Sequence, residues 1–341
     1  MIIRSKAPLR IGFAGGGSDV SPFSDRYGGA ILNATLNMYA WATIIPRNDG
    51  KIILHSLDKD QLLEYNSEMT LPADGHLELI KGIYHRIVGD FTGKPLSFEL
   101  TTRVDAPPGS GLGSSSTLVI AIIGAFREWL NLALGEYDLA HLAYMIERED
   151  LKMAGGKQDQ YAATFGGVNF MEFYNDNKVI VNPLRIKQEI LDELAHNLVL
   201  YNTETSRVSS RIIEMQQKNV LENNDRSVSA MLKMKEQAIL MKEALLKGEL
   251  NRIGDLLNFG WEYKQRMADG IVNKELLRIY ETALKAGASG GKISGAGGGG
   301  FMFFYCPDNT RHNVINALQS SGGMIRPFEF TKGGLRTWKI M

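Results

Sequence analysis

Apolar residues in the first half of the chain recur at every second position or in short β-branched runs. This pattern predicts strands over Ile2–Arg4, Arg10–Phe13, Ala40–Pro46, Lys51–Ser56 and Leu96–Thr102. Glu78–Val88 has helical spacing. Ser114–Leu130 opens on three serines suited to a helix start and is then apolar nearly all round, which predicts a buried helix. Tyr137–Glu149 predicts another helix, with Asp138 near its start, and Gly166–Tyr174 a return to strand. After Val181–Pro183 the texture changes. Leu198–Asn202 and Phe301–Tyr305 read as strands, and Met324–Phe330 and Arg336–Ile340 as terminal strands. Between them, Ser206–Lys218, Asp225–Lys247, Asn251–Met267 and Lys274–Ala286 read as helices, with Lys292–Gly300 as a loop. A strand-rich half followed by a helix-rich half places a boundary near residue 185, giving two domains, 1–185 and 186–341.

Composition narrows the function classes. Lys plus Arg and Asp plus Glu both number 38, so net charge gives no support to a nucleic-acid or anionic-membrane partner. The single cysteine, Cys306, cannot form an internal disulfide, which fits a reducing compartment. It lies in an apolar run and reads as a small buried hydrophobe. No stretch has the length of a signal-peptide core or a membrane span. The expectation is a soluble, cytoplasmic protein.

The 36 glycines are the anomaly, because they cluster at Gly12–Gly17, Gly109–Gly113, Gly155–Gly167 and Gly287–Gly300. The second cluster, PPGSGLGSSS at Pro107–Ser116, runs directly into the apolar helix. Glycines there free backbone N–H groups to face an anion, and the helix start adds unpaired N–H groups and a positive dipole end. Pro108, Gly109, Ser110, Gly111, Leu112, Gly113, Ser114, Ser115 and Ser116 are therefore candidate phosphate-binding residues. A glycine-rich turn with a capping serine is the bland alternative. No GxxxxGK[ST] pattern occurs. A literal GxGxxG at Gly295–Gly300 precedes a strand rather than a helix, so the dinucleotide reading fails, and no HRD or DFG sequence supports a protein kinase.

Three segments in order resemble the motifs of the GHMP kinases: KAPLRIGFAGGGSD (Lys6–Asp19), PPGSGLGSSS and KISGAGGGGFM (Lys292–Met302). The resemblance spans nearly the whole chain. It implies an α+β, two-domain fold, with an N-terminal domain like ribosomal protein S5 domain 2 and a ferredoxin-like C-terminal domain. The site would lie between them, with ATP and Mg²⁺ as cofactors.

GGKQDQYAATFGG, Gly155–Gly167, resembles the segment bearing the family's catalytic aspartate, which makes Asp159 the candidate base. An aspartate capping a following helix is the alternative there. Arg10 stands where the first motif carries a cation facing that aspartate. Such a cation would pair with Asp159 and stabilise the substrate alkoxide. Lys6 is the alternative for this role and a candidate substrate contact. Glu147, twelve positions before Asp159, and Ser115 are the implied metal ligands, with Glu149 and Asp150 as rivals in the charged EREDL run. Gly297 and Gly298 of the third motif would close over the phosphates.

Galactokinases end the first motif in Gly-Glu-His-Thr-Asp, whose Glu, His and Asp touch the sugar. Here Gly16 and Gly17 replace the Glu and His, while Asp19 keeps its place. That argues against galactose and leaves room for a larger sugar, with Gly16, Gly17 and Asp19 as substrate contacts. GFAGGGSD together with AGGKQDQYAATFGG resembles the subgroup acting on heptose 7-phosphate, with fucokinase domains as near relatives. The implied reaction is phosphorylation of the anomeric hydroxyl of D-glycero-D-manno-heptose 7-phosphate to the 1,7-bisphosphate, a precursor of nucleotide-activated heptose for surface polysaccharide. The substrate's own phosphate needs an anion site. TETSRVSSR, with Arg207 and Arg211 at a predicted helix start, is a candidate, and an ordinary capped helix is its equal alternative. Two further readings stay open: a kinase of an unphosphorylated sugar such as L-fucose, and a non-catalytic sensor on the same scaffold. Oligomeric state is not legible.

Overall fold

The computed structural model describes residues 1–205 and 209–341. Its first sheet is built on two long strands, β1 (Ile2–Ala14) and β2 (Gly29–Pro46), joined through the short helix α1 (Phe23–Tyr27). The two strands expected in the first fourteen residues are one strand, carried past two irregularities in register, between Pro8 and Arg10 and between Gly12 and Ala14. β3 (Lys51–Ser56) and β4 (Gln61–Asn66) form a hairpin. Helix α2 (Glu78–Ile87), continued by a π-helical turn, leads to β5 (Phe98–Val104). β5 pairs parallel with β3 and antiparallel with the end of β2.

Helix α3 (Ser114–Leu130) packs on β1 and β2, and eleven consecutive residues, Ser116–Phe126, are buried. Its apolar circumference explains this: one face meets the sheet, and the others meet the helices α4 (Glu136–Tyr144) and α5 (Gln158–Phe165). The helix expected over Tyr137–Glu149 starts one residue earlier and passes at Met145 into a π-helical turn that ends at Asp150. β6 (Val168–Phe173) and β7 (Val179–Pro183) then add to the free half of β2.

The second sheet has the order β11–β8–β10–β9. Helix α6 (Gln188–Asn197) feeds β8 (Leu198–Asn202). Helices α7 (Ser209–Leu221), α8 (Asp225–Lys247), α9 (Asn251–Lys264) and α10 (Lys274–Lys285) follow. β9 (Gly290–Ile293), β10 (Phe301–Tyr305), α11 (Arg311–Gln319) and β11 (Met324–Ile325) complete it. Of the expected strand Met324–Phe330 only the first two residues pair in this sheet, and Phe330 bridges to Leu36 in the other.

The last strand, β12 (Arg336–Ile340), returns to pair with β1. The second unit therefore does not run to residue 341. The chain changes sheet between Pro183 and Gln188 and changes back before β12.

The two sheets share a core. Leu9, Ile11 and Phe13 of β1 lie in one buried cluster with Phe301 and Phe303 of β10, and the rings of Phe13 and Phe303 meet edge-on at 5.7 Å. This brings the end of β1 against the β9–β10 loop, and the site forms along that seam. Among the described residues, no helix is long and apolar enough to cross a membrane.

Candidate active site

The glycine-serine loop connects β5 to α3. Gly109, Gly111 and Gly113 all have positive φ, at 73°, 77° and 76°. At Gly111 a side chain is also excluded by space, since its Cβ would lie 2.6 Å from the Ser294 carbonyl oxygen. The loop and the third motif thus touch backbone to backbone. Ser294 Oγ donates to the Gly111 carbonyl at 2.8 Å, and the Phe301 amide to the Ser110 carbonyl at 2.9 Å. Helix α3 begins after Gly113 with no side-chain cap and no acidic residue in its first turn. The leading N–H groups of Ser114–Ser116 have no intrahelical acceptor. Uncapped amides at a positive dipole end suit a phosphate.

Arg10 ties this loop to Asp159. Its Nε donates to Asp159 Oδ1 at 2.7 Å, Nη2 lies 2.6 Å from the same oxygen, and Nη1 donates to the Gly111 carbonyl at 2.7 Å. The Arg10 amide also donates to the Leu112 carbonyl at 3.1 Å. Arg10 is 3% exposed, while the Asp159 side chain opens to the cleft. Asp159 sits in the first turn of α5 and reaches the cleft beside Gly113.

Asp19 sets the position of that turn. Its Oδ2 accepts from the amides of Lys157 and Gln158, at 2.9 and 3.0 Å, and so caps the start of α5. Burial pushes its carboxyl pKa up, against the lowering effect of the Gln158 amide. A side chain at Gly156 would run into Asp19 Oδ2, which accounts for glycine there.

Glu147 lies in the π-helical turn after α4 and is fully buried. Its Oε1 accepts from Ser116 Oγ at 3.0 Å and Ser115 Oγ at 3.5 Å, and its Oε2 from Gln160 Nε2 at 2.5 Å. Arg148 Nη1, 3.8 Å from Oε1, is its paired cation. A buried carboxylate beside a serine hydroxyl fits Mg²⁺, which takes one or two protein oxygens and keeps its waters. The rivals face outward: Asp150 pairs with Arg86 at 2.6 Å and Glu149 with Lys152 at 3.5 Å.

Arg10, Gly16, Gly17, Asp19, Pro108, Gly109, Gly111, Gly113, Ser114, Ser115, Ser116, Glu147 and Asp159 all line one cleft of about 550 Å³. Other expected residues do not. Ser110 and Leu112 are buried beneath the loop, where Leu112 joins the core shared by the two sheets. Gly297 backs onto Ile271, and the Gly298 amide is taken by the Ile271 carbonyl at 2.8 Å, so Gly295 and Ala296 face the cleft instead. Lys6 lies four residues, about 13 Å, up β1 from Arg10. Its ammonium rests over the rings of Tyr39 and Trp41, at 4.3 and 5.2 Å, and does not reach the cleft. Arg207 lies outside the described residues.

Among the lining residues that escaped the sequence reading are Gln158, Gln216, Lys264 and Lys292. Lys292 opened the recognised third motif without being given a role. Lys264 ends α9 on its buried side, and a lysine on the apolar face of a predicted helix was the available signal. Its Nζ donates to the Gly295 carbonyl, and burial lowers its pKa to about 8.

Such a cleft, between a loop that offers uncapped helix amides and a carboxylate locked to an arginine, defines a small-molecule phosphotransferase. The sequence matches GHMP kinases N terminal domain over residues 78–167 and GHMP kinases C terminal over residues 241–323. It is 51% identical over 338 residues to D-glycero-alpha-D-manno-heptose 7-phosphate kinase from Campylobacter jejuni, covering 99% of each chain. The chain belongs to the GHMP kinase family. Among solved structures, a D-glycero-D-manno-heptose 1-phosphate kinase from Bacteroides thetaiotaomicron matches with TM-score 0.85 and 46% identity over 99% of both chains. Galactokinase from Lactococcus lactis matches with TM-score 0.77 at 21% identity over 98% of this chain and 95% of that one, a likeness of fold alone.

Proposed function

We propose that the protein is an ATP-dependent kinase that phosphorylates the anomeric (C1) hydroxyl of D-glycero-D-manno-heptose 7-phosphate, giving the 1,7-bisphosphate and ADP. The observation that carries this is the Arg10–Asp159 pair beside the uncapped start of α3, in a chain half identical to a heptose 7-phosphate kinase. In this reading the C1 oxygen attacks the γ-phosphorus and Asp159 accepts its proton. The bond from the γ-phosphorus to the β–γ bridging oxygen breaks, and ADP leaves with that electron pair. Arg10 orients the Asp159 carboxylate and offers positive charge to the developing alkoxide. The amides of Ser114–Ser116 receive the nucleotide phosphates. Glu147 and Ser115 are the residues that would hold Mg²⁺, which when bound neutralises charge on the β- and γ-phosphate oxygens. Asp19 keeps α5, and so Asp159, at the depth of the acceptor hydroxyl.

The product would feed a nucleotidyl-transfer route to activated heptose for surface polysaccharide. The two similar proteins carry names that differ on the sugar position, 7-phosphate in one and 1-phosphate in the other. An ADP-release assay across heptose 7-phosphate, heptose 1-phosphate, free heptose and L-fucose tests the proposal. Preference for heptose 7-phosphate by kcat/KM is expected. Preference for a free sugar, or no ADP with any of the four, contradicts it.

A further inference from the structure

Two lysines that the transfer step does not use meet beside Gly16. Lys264 closes α9, Lys292 lies on β9, both line the cleft, and they are only 3% and 2% exposed. The Cβ position of Gly16 lies 3.8 Å from Lys264 Nζ and 4.0 Å from Lys292 Nζ. The ammonium groups donate to carbonyls: Lys264 to Gly295, and Lys292 to Gly12 at 2.7 Å and Phe13 at 3.4 Å. Carbonyls satisfy protons but supply no counter-charge.

Among the described residues neither lysine makes an ion pair. The carboxylate whose field reaches Lys264 is that of Asp19, and its Oδ2 is already taken by two amides of α5. Burial lowers the pKa of both lysines, and Arg10 lowers each further. Burying an ammonium group without a counter-charge is costly, and the penalty is relieved when an anion completes the site. The backbone beside them is also open. Among the described residues the amides of Gly16 and Gly17 donate to no acceptor, and they lie in a turn where Gly15 and Gly17 have φ of 81° and 100°. Successive amides in such a turn form an anion-binding concavity. The φ of 100° at Gly17 favours glycine, which keeps that face bare.

We propose that Lys264, Lys292 and the Gly16–Gly17 amides form the subsite for a phosphate monoester dianion carried by the acceptor sugar, an inference that rests on the sugar-phosphate kinase reading above. The nucleotide phosphates have their own donors on α3, in the other sheet's layer. The lysines come from the second unit and converge on the connection that bears Asp19. A neutral hydroxyl would leave two ammonium groups uncompensated, whereas a phosphate dianion matches their charge.

Kinetics of Lys264→Met on heptose 7-phosphate and on free heptose test this. KM for the sugar phosphate rises at least tenfold, while kcat/KM for the free sugar stays within twofold. Equal loss on both substrates places the cations on the transferring phosphoryl group and overturns the proposal. A second arm needs no sugar turnover. Inorganic phosphate is titrated by calorimetry into protein saturated with a non-hydrolysable ATP analogue and Mg²⁺. Wild type binds one phosphate, and Lys264→Met and Lys292→Met each bind it at least tenfold more weakly. Equal affinity in all three proteins overturns the subsite, even if heptose 7-phosphate proves to be a substrate. Loss in the variants, without heptose turnover by wild type, keeps the subsite and removes only the heptose assignment. Lys292→Met carries either arm alone should Lys264→Met not fold.

Discussion

Arg10 holds Asp159 and the Gly111 carbonyl with one guanidinium, at 2.7 Å each, so the proposed base and the phosphate loop move as a unit. Lysine at this position would keep the charge but lose the fork. Arg10→Lys is expected to lower kcat by roughly tenfold to a hundredfold, and Arg10→Ala by more, with ATP affinity changed only a few-fold. Steady-state kinetics with a separate nucleotide-binding titration check this. Unchanged turnover in Arg10→Ala removes Arg10 from the mechanism.

Asp159→Asn keeps the shape of the α5 turn and removes the proton acceptor. We expect kcat to fall by about 10²- to 10⁴-fold while sugar KM stays within a few-fold. A large rise in sugar KM at near-normal kcat would instead mark Asp159 as a binding residue.

Glu147→Gln retains the volume and one acceptor at a fully buried position but removes the charge. The Mg²⁺ concentration for half-maximal activity is expected to rise by tenfold or more. An unshifted Mg²⁺ profile would place the metal elsewhere.

Gly111→Ala meets two obstacles, a φ of 77° and a Cβ 2.6 Å from the Ser294 carbonyl oxygen. The strain should cost about 1–3 kcal/mol and pry the loop from the third motif. A lower Tm and a raised KM for ATP are expected together. A normal Tm would show that the loop contact is looser than described.

Lys264 gives a pH-dependent stability signature. Its folded pKa is about 8 against an ordinary 10.5, so between those values the unfolded chain binds more protons and stability rises with pH. Below about 8 the full penalty applies, at most on the order of 3 kcal/mol. Lys264→Met is therefore expected to raise Tm of the ligand-free protein at pH 7. The advantage should shrink as pH climbs from 8 toward 10.5. A pH-independent difference would show that the ammonium is not destabilising.

The site was legible where glycine spacing and neighbouring polar residues occur together. The loop before α3 stood out by its glycines and serines, whereas Asp159 and Gly16–Gly17 were marked as candidates by the resemblance to the family's motifs. Side-chain direction was not legible. Nothing in the third motif distinguishes Gly298, whose amide is spent on Ile271, from Gly295, which faces the cleft. Lys6 and Arg10 share a strand, and only the register irregularity and the aromatic pair Tyr39–Trp41 separate their fates. The strands of the first half were placed by alternation. β4, however, is exposed at alternate positions and carries too little apolar contrast to stand out. The return of β12 to β1 is a long-range pairing that local pattern does not encode.

Phosphorus NMR of the product formed from heptose 7-phosphate and ATP tests the central claim most directly. The account predicts a second phosphorus resonance coupled to the anomeric proton, with one equivalent of ADP formed. A new phosphate coupled to any other ring proton, or ADP release without a second sugar phosphate, would contradict it.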